Sequence, residues 1–212
     1  MTISTEDLLK SIMESLDRID YVKSEDIPNI DLYMDQVTTF MDKRMKDTAR
    51  HPEEDKILTK TMINNYAKNK LLPPPVKKKY TKEHMLLLIF IYYFKGILSI
   101  GDIQKLLEPL TGQFFQADQE ITLTDIYEEV FSLEKEEVER MKKDVTEKYE
   151  KAATTFSDVP EESKEFLQQF AFVCMLSFDV YVKKLMIEKI IDGMKTEPNK
   201  NGASPEKETK EK

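Results

Sequence analysis

The sequence predicts an all-α fold, because glycine is scarce, apolar residues recur at helical spacing, and capping residues begin several segments. The chain has 212 residues but only 5 glycines. Sandwiches, barrels and doubly wound sheets need glycine for their turns and phosphate loops. At roughly 100–200 residues per domain, this length gives one or two compact units. The apolar fraction of 40% is enough to form a core.

The first fifty-six residues divide into two helices and two connections. Apolar residues at helical intervals predict a helix over 5–20, with Thr5 as its N-cap. A turn over 24–29 then leads to a second helix over 31–46. Residues 47–56 contain histidine, proline and consecutive acidic residues, which predict a loop.

A short helix and a stiff basic arm follow. Residues 59–69 place apolar side chains on one face and Lys, Thr and Asn on the other, as expected of a short surface helix. The three prolines at 73–75 cannot continue a helix and favour an extended segment. Residues 76–80 are then expected to form an extended arm or a small hairpin.

The next segment predicts the central helix of the fold. It begins after Thr81, a suitable N-cap, and ends near Gly96, where a left-handed C-cap is expected. Its interior, MLLLIFIYYF, is apolar nearly all round, so the helix should be buried. Ser99 opens a further short helix, which Pro109 is expected to stop after about Leu107.

The last third of the chain predicts long helices and a polar tail. Residues 123–151 have spaced apolar positions in a charged background, which indicates one long or two consecutive amphipathic helices. A further helix is expected over 160–192. Its middle, FAFVCMLSFDVYV, is apolar on most faces and must be covered, as core or as a dimer interface. Residues 195–212 are polar and predict a disordered tail.

Several functional classes lack the residues that they require. One cysteine, Cys174, excludes an intrachain disulfide and a cysteine-rich zinc site, and two histidines leave little for a metal centre. We place His51 in a loop and His84 on a helix surface. No glycine-rich phosphate loop or nucleophile elbow is present, so we expect no enzyme activity, no cofactor and no metal. The first ten residues lack the features of a signal peptide, which favours a cytoplasmic protein.

The charge distribution gives the main functional clue. The net charge is −8, yet eight lysines and no acidic residue lie between Lys56 and Lys82. We call this segment the lysine island; its lysines are Lys56, Lys60, Lys68, Lys70, Lys77, Lys78, Lys79 and Lys82. A basic island inside an acidic chain is either a solvated surface loop or a surface that binds a polyanion such as DNA.

The order of elements over residues 57–108 resembles the winged helix-turn-helix of the MerR class of bacterial regulators. The string TMINNYAK (61–68) stands where that class has its recognition helix, and Leu71-Leu72-Pro73 where the chain enters the wing. Lys79-Tyr80 matches the basic-aromatic pair that closes the wing, and GILSIGDI (96–103) resembles the start of its fourth helix. Asn64 occupies the position where that class usually has arginine.

A closer resemblance connects the chain to a bacterial family, domain of unknown function 1836. It rests on LYMDQV (32–37), LTKTMINNY (58–66), KKYTKEH (78–84) and LSIGDI (98–103), and extends over about residues 28–130. Through its MerR-like part, this resemblance implies a regulator that binds DNA.

The two resemblances give each residue an expected role. Lysines of the arm and helix would neutralise phosphates, Asn64 and Asn65 would read adenine edges, and Thr59 and Thr61 would donate to phosphate. Thr59 is equally suited to be an N-cap only, and tyrosines such as Tyr66 and Tyr80 are core residues more often than DNA contacts. The predicted DNA-binding residues are Thr59, Lys60, Thr61, Asn64, Asn65, Tyr66, Lys68, Lys77, Lys78, Lys79 and Tyr80.

We therefore predict a sequence-specific, double-stranded DNA-binding transcriptional regulator, acting as a repressor and as a homodimer. The expected organisation is an N-terminal helix and turn (1–30), a MerR-like winged helix-turn-helix (31–110), a C-terminal helical dimerisation part (111–194) and a tail (195–212). The alternative is a non-enzymatic adaptor, in which the same scaffold binds an acidic protein surface. Competition with nonspecific duplex DNA would separate the two.

Overall fold

A computed structural model describes residues 5–17 and 21–194, and these are mostly helical, which confirms the predicted all-α class. The two strands are β1 (Leu32–Tyr33) and β2 (Lys79–Tyr80), which pair antiparallel. The predicted tail and residues 18–20 lie outside the described residues. The helices are α1 (Thr5–Asp17), α2 (Met34–Met45), α3 (Lys60–Lys68), α4 (Lys82–Phe94), α5 (Ile100–Gln113), α6 (Leu123–Ser132), α7 (Glu134–Ala153) and α8 (Glu161–Gly193).

Helix α4 is the centre of the main core, as its sequence predicts. Every side chain from His84 to Ile91 is buried, so the helix has no polar stripe along its first two turns. The residues that pack in this core come from most of the chain, from Val22 before β1 to Ile191 near the end of α8. A helix that is apolar all round is stable in water only in such surroundings.

The beginning of α5 confirms the sequence prediction, but its end does not. The hydroxyl of Ser99 accepts a hydrogen bond from the N–H of Asp102, which caps the helix. The helix then continues through Pro109 to Gln113, although proline was expected to stop it. Pro109 lies on the exposed side of α5, where water can donate the hydrogen bond that proline, without an N–H, cannot. Leu107 is buried on the other side of the helix. Packing therefore outweighs the local cost of the proline.

The predicted left-handed cap at Gly96 is also wrong. No described glycine has a positive φ. The N–H groups of Ile97 and Leu98 both donate to the carbonyl of Phe94 at 2.9 Å, so the chain leaves α4 through a right-handed turn. A glycine is not required for that geometry.

The main core continues beyond residue 110. Tyr127 of α6 is fully buried, and its hydroxyl donates to the carbonyl of Val22. The ring of Tyr127 lies 5.5 Å from that of Phe90 on α4 and 4.5 Å from that of Phe131. Helix α6 therefore packs with the elements before it, and α7 begins a second group of contacts.

Helices α7 and α8 form a hairpin that also contacts α1. The region 123–151 is thus two consecutive helices, one of the two arrangements that its sequence allowed. Val145, Ala152 and Phe172 are the buried centre of this second cluster. The ammonium group of Lys148 on α7 lies 2.7 Å from the carboxylate of Asp179 on α8. Near its end, α8 reaches the main core through Ile191.

The middle of α8 was expected to be covered, and in the single chain most of it is not. Phe172 is buried, but Phe166, Phe170 and Phe178 are 67%, 55% and 66% exposed. No helix in the described part of the chain is long and apolar enough to cross a membrane.

Candidate nucleic-acid interface

Helix α3 presents one polar face to solvent and buries the opposite face. Ile63 and Tyr66 are buried against the main core, which anchors the helix. The exposed side chains recur three or four residues apart, so they form one continuous surface on the outer side. They are Lys60, Thr61, Asn64, Asn65 and Lys68. Each of these five predicted residues is therefore accessible to a partner.

Hydrogen bonds fix both ends of α3. The hydroxyl of Thr59 accepts from the N–H of Met62 at 3.2 Å, so Thr59 is the N-cap. At the other end, Leu71 N–H donates to the carbonyl of Tyr66 at 2.9 Å and Lys70 N–H donates to that of Ala67. This pattern is a Schellman motif, whose left-handed position favours glycine. Here that position is Lys70, with a φ of 59°.

Of the two arrangements predicted after the prolines, an extended arm or a small hairpin, the structure has the hairpin, a tight turn with an antiparallel bridge between Val76 and Lys79. Lys79 N–H donates to the carbonyl of Val76 at 2.9 Å, which closes a four-residue turn. Its two central residues, Lys77 and Lys78, have φ values of 50° and 63°. Two consecutive positive φ angles define a type I′ turn, where Asn-Gly is the usual choice. The strained backbone thus carries two exposed lysines at its tip.

The segment Tyr33–Asp35 brings α3 and the turn together. The carboxylate of Asp35, in the first turn of α2, pairs with the ammonium group of Lys60 at the start of α3. Two residues earlier, Tyr33 pairs through its backbone with Lys79, whose ammonium group lies 5.6 Å from the Tyr33 ring centroid. The ammonium groups of Lys60 and Lys79 therefore converge on one short segment.

Lys95 holds the segment before α3 in place. Its ammonium group donates to the carbonyl of Ile57 at 2.8 Å and lies 4.6 Å from the ring centroid of Tyr92. Burial lowers the pKa of this ammonium group. The N–H of Ile57 donates to Asp42 of α2 at 3.3 Å, so α2 and α4 both fix the chain two residues before Thr59.

His84 is buried, and the prediction that it lies on a helix surface is wrong. Its Nδ1 accepts from the N–H of Thr81 at 3.0 Å, and the Thr81 side chain accepts in return from the His84 backbone, which forms a capping box. The ring packs edge-on against Tyr80 and Phe115. Burial lowers the His84 pKa, opposed by the carbonyls of the proline segment and by Asp31. His84 thus holds the turn against α4.

Two predicted contact residues, Tyr66 and Tyr80, need correction. They are 5% and 3% exposed and belong to the main core, so their rings are not available to a partner. Burial raises the pKa of both phenols. The helical spacing that places Tyr66 next to Ile63 explains its burial, and Tyr80 pairs with Leu32 of β1 and packs against the His84 ring.

The lysine island is poor in ion pairs. Among the described residues, only Lys60 of its eight lysines has a carboxylate within 4.0 Å. Lys56 lies apart from the turn and lines an open cavity of about 480 Å³, together with Arg50 and Lys95. The other island lysines are exposed, except Lys79 and Lys82, which are half-buried. This region therefore has cationic side chains that the described fold leaves uncompensated.

A family model described as a domain of unknown function, DUF1836, matches residues 22–131. The chain belongs to the DUF1836 family. The match covers more than half of the chain and confirms the resemblance seen in the sequence. The DUF1836 region runs from the start of the main core through α6, and includes α3 and the turn but neither α7 nor α8. Comparison with curated proteins and with solved structures gives no match.

Sequence reasoning missed the residues that position this surface. Asp35, Tyr33, Lys95 and His84 orient α3 or the turn through contacts between distant parts of the chain. The sequence predicted Thr81 as an N-cap, but nothing in it indicated that His84 would complete a capping box. The other three contacts depend on tertiary packing.

Proposed function

We propose that the outer face of α3 and the lysine turn at 76–79 bind double-stranded DNA, and that the protein is a transcriptional repressor. One observation carries the proposal: Lys60 and Lys79 are held on the same segment, Tyr33–Asp35, so an exposed helix face and a basic turn form one unit. A helix of this size fits the major groove, while a basic turn beside it can contact the backbone.

The lysines of the turn and of α3 supply affinity in this proposal. Lys77, Lys78, Lys79 and Lys60 neutralise phosphates and release counterions, which fixes the register of the protein without reading sequence. With about four to six phosphates neutralised, the slope of log K against log salt is roughly −4 to −5 per protomer. The −8 net charge of the whole chain discourages DNA from contacting other surfaces.

Asn64 and Asn65 supply sequence discrimination. A carboxamide pairs bidentately with N6 and N7 of adenine, and both side chains are exposed on the outer face of α3. Thr61 lies on the same face, and Thr59 begins the helix, where the N-terminal dipole favours a phosphate. This arrangement is what a MerR-like winged helix-turn-helix would provide.

The left-handed lysines support a binding role. Lys70, Lys77 and Lys78 occupy backbone positions where glycine costs less, and strain of about 1–3 kcal/mol each is tolerated when the surroundings enforce it. Such strain is typical of functional segments. In this proposal, the contribution of the lysine charges to binding outweighs the stability that glycine would add at these positions.

A homodimer would place two such units on one operator. Two α3 helices then read half-sites that lie one helical turn apart, ~34 Å, or a multiple of that spacing. A palindromic operator is the expected consequence, since a two-fold dimer presents the same surface twice.

Fluorescence anisotropy with a duplex from the promoter region of the protein's own gene tests the proposal. We expect salt-sensitive binding that the triple variant Lys77→Ala, Lys78→Ala, Lys79→Ala loses. The control triple variant, Lys143→Ala, Lys151→Ala, Lys183→Ala, removes the same charge from α7 and α8 and should bind normally. Equal binding by the wild type and the turn variant, or equal loss in both variants, would contradict the proposal.

The alternative function is an adaptor whose lysines bind an acidic protein surface. Asn64 in place of the usual arginine favours it, because one strong phosphate contact is then missing. An adaptor would keep its partner in the presence of excess nonspecific duplex DNA, whereas a DNA-binding regulator would be drawn onto that DNA.

A further inference from the structure

The outer face of α8 is a large apolar surface that the described fold leaves exposed. Its members recur at helical spacing along α8, and each is between 42% and 67% exposed, although Val173 also borders a cavity that residues of α1 and α7 line. They are Phe166, Phe170, Val173, Phe178, Val180, Tyr181 and Leu185. At ~150–250 Å² per large aromatic side chain, this face exposes on the order of 800 Å². Monomeric soluble proteins rarely expose an apolar patch of that size.

Charged side chains are absent from the centre of this face. Between Lys164 and Lys183 the chain has two charged residues, Glu165 and Asp179. Asp179 turns toward α7, where it pairs with Lys148. Glu165 lies about 100° around the helix from Phe166, off the face. The face therefore has the apolar centre and charged ends that a protein–protein interface requires.

No other segment of this sequence can cover the face. Residues outside the described ranges contain three large apolar side chains, Met1, Ile3 and Ile19, and residues 195–212 contain none. Three side chains cannot cover some 800 Å² of apolar surface. None of these residues can therefore be the occupant.

The charges at the ends of the face fit a second copy of the same helix. Glu162 lies at one end of the face and Lys184 at the other, and both are exposed. Val173 lies midway between them, and also midway between Phe166 and Val180. An antiparallel pair with its two-fold axis at Val173 would place Glu162 of each copy opposite Lys184 of the other. A parallel pair would instead place like charges together.

We infer that the outer face of α8 is an antiparallel homodimer interface centred on Val173. The exposed area of about 800 Å² on each copy is comparable to the area that each partner buries in a standard stable interface. The inference specifies the surface and orientation of the homodimer included in the proposed function. Its tests measure mass and cross-linking without DNA, so it can fail while DNA binding stands, or the reverse.

Sedimentation equilibrium of the full chain tests the interface. We expect the wild type to be a dimer at micromolar concentration. The double variant Phe166→Gln, Phe170→Gln should be a folded monomer. Both phenylalanines are exposed in the single chain, so helical circular dichroism should be unchanged. Val130→Gln is the control, since Val130 is 49% exposed on α6, away from this face. A monomeric wild type at tens of micromolar would overturn the inference, and so would a double variant that remains dimeric.

Charge exchange tests the orientation. Glu162→Lys or Lys184→Glu alone should weaken the dimer about tenfold, and the two together should restore it, because only an antiparallel pair places these residues opposite each other. Lys183→Glu makes the same charge change one residue away, off the face, and should have little effect. Failure of the double variant to recover would overturn the antiparallel arrangement.

Cys174 gives an independent measurement. It is exposed and lies one residue from the proposed axis, so the two copies of this sole cysteine should be within reach of a short bis-maleimide. We expect a covalent dimer that Cys174→Ser abolishes. The absence of cross-linking in a sample that sedimentation shows to be dimeric would overturn the placement of the axis.

Discussion

The DUF1836 region and the α7–α8 hairpin expose different kinds of surface: the first exposes lysines with few carboxylate partners, and the second exposes apolar side chains. In the DUF1836 region the apolar core is closed, with Ile63 and Leu71 fully buried, while the lysines around them have few carboxylate partners. In the hairpin the charges are paired, since Arg140 contacts two glutamates and Lys148 contacts Asp144 and Asp179. Its apolar face, however, is open. The first region therefore suits an anionic partner and the second an apolar one.

A pair of core and surface truncations should give the largest contrast between the two regions. Ile63→Ala removes a fully buried side chain of α3 and should lower the free energy of unfolding by about 2–4 kcal/mol. Phe170→Ala on α8 should change the unfolding of the monomer by less than ~0.5 kcal/mol, because Phe170 is 55% exposed. Urea denaturation at submicromolar concentration, below the expected dimer range, measures both. Equal losses would mean that the α8 face is covered within the single chain.

The pH dependence of stability should reveal the buried His84. Its pKa is lowered in the folded chain, so below its ordinary value of 6.5 the unfolded chain binds a proton more readily than the folded one. Its contribution is complete above that value and decreases as pH falls toward the lower folded pKa, by at most ~1.4 kcal/mol per pH unit. His84→Gln keeps the capping pattern and should show a smaller decrease from pH 7 to 5.5 in urea denaturation. Identical profiles would show that His84 is not the group responsible.

Replacing a strained lysine should separate stability from binding. Lys78→Gly relieves a φ of 63° and should raise the free energy of unfolding by about 0.5–1 kcal/mol. If the proposed DNA surface is correct, it also removes one phosphate contact, so DNA affinity should fall and the salt slope should decrease by roughly 0.9. Thermal denaturation and anisotropy on the same sample measure the two effects. A variant that gains stability and keeps full DNA affinity would contradict a role for Lys78 in DNA binding.

The smallest expected effect compares a paired lysine with an unpaired one. Lys148→Gln breaks contacts with Asp144 and Asp179 and should cost about 0.5 kcal/mol of folding free energy, less in high salt. Lys77→Gln should cost nothing measurable, since Lys77 is exposed at the tip of the turn. Denaturant titrations at 0.05 and 0.5 M salt compare the two variants. A larger loss for Lys77→Gln would show that the island lysines serve folding.

Local pattern was enough to predict the helices, the burial of α4 and the polar face of α3. The period of apolar residues determines which side of a helix is buried, and Thr59 and Ser99 have the short polar side chains that caps require. The end of α5 could not be predicted in this way, because the burial of Leu107 outweighs the breaking tendency of Pro109.

The charged residues of the candidate site could be predicted from the sequence, but the contacts that position them could not. A segment from Lys56 to Lys82 with eight lysines and no acidic residue is visible in the sequence, and so are Asn64 and Asn65. The contact of Tyr33 with Lys79 depends on how β1 and β2 pair, and that of Asp35 with Lys60 depends on how α2 and α3 pack. The burial of Tyr66 follows from its helical spacing with Ile63, and that of Tyr80 depends on tertiary packing.

The dependence of DNA affinity on salt tests the central claim most directly. For the wild type, log K against log salt should fall with a slope of roughly −4 to −5 per protomer between 50 and 200 mM, and the turn triple variant should be about 3 units shallower. The α7–α8 triple variant should keep the wild-type slope. A wild-type slope near zero, or one that the turn substitutions leave unchanged, would contradict the assignment of α3 and the lysine turn as a DNA-binding surface.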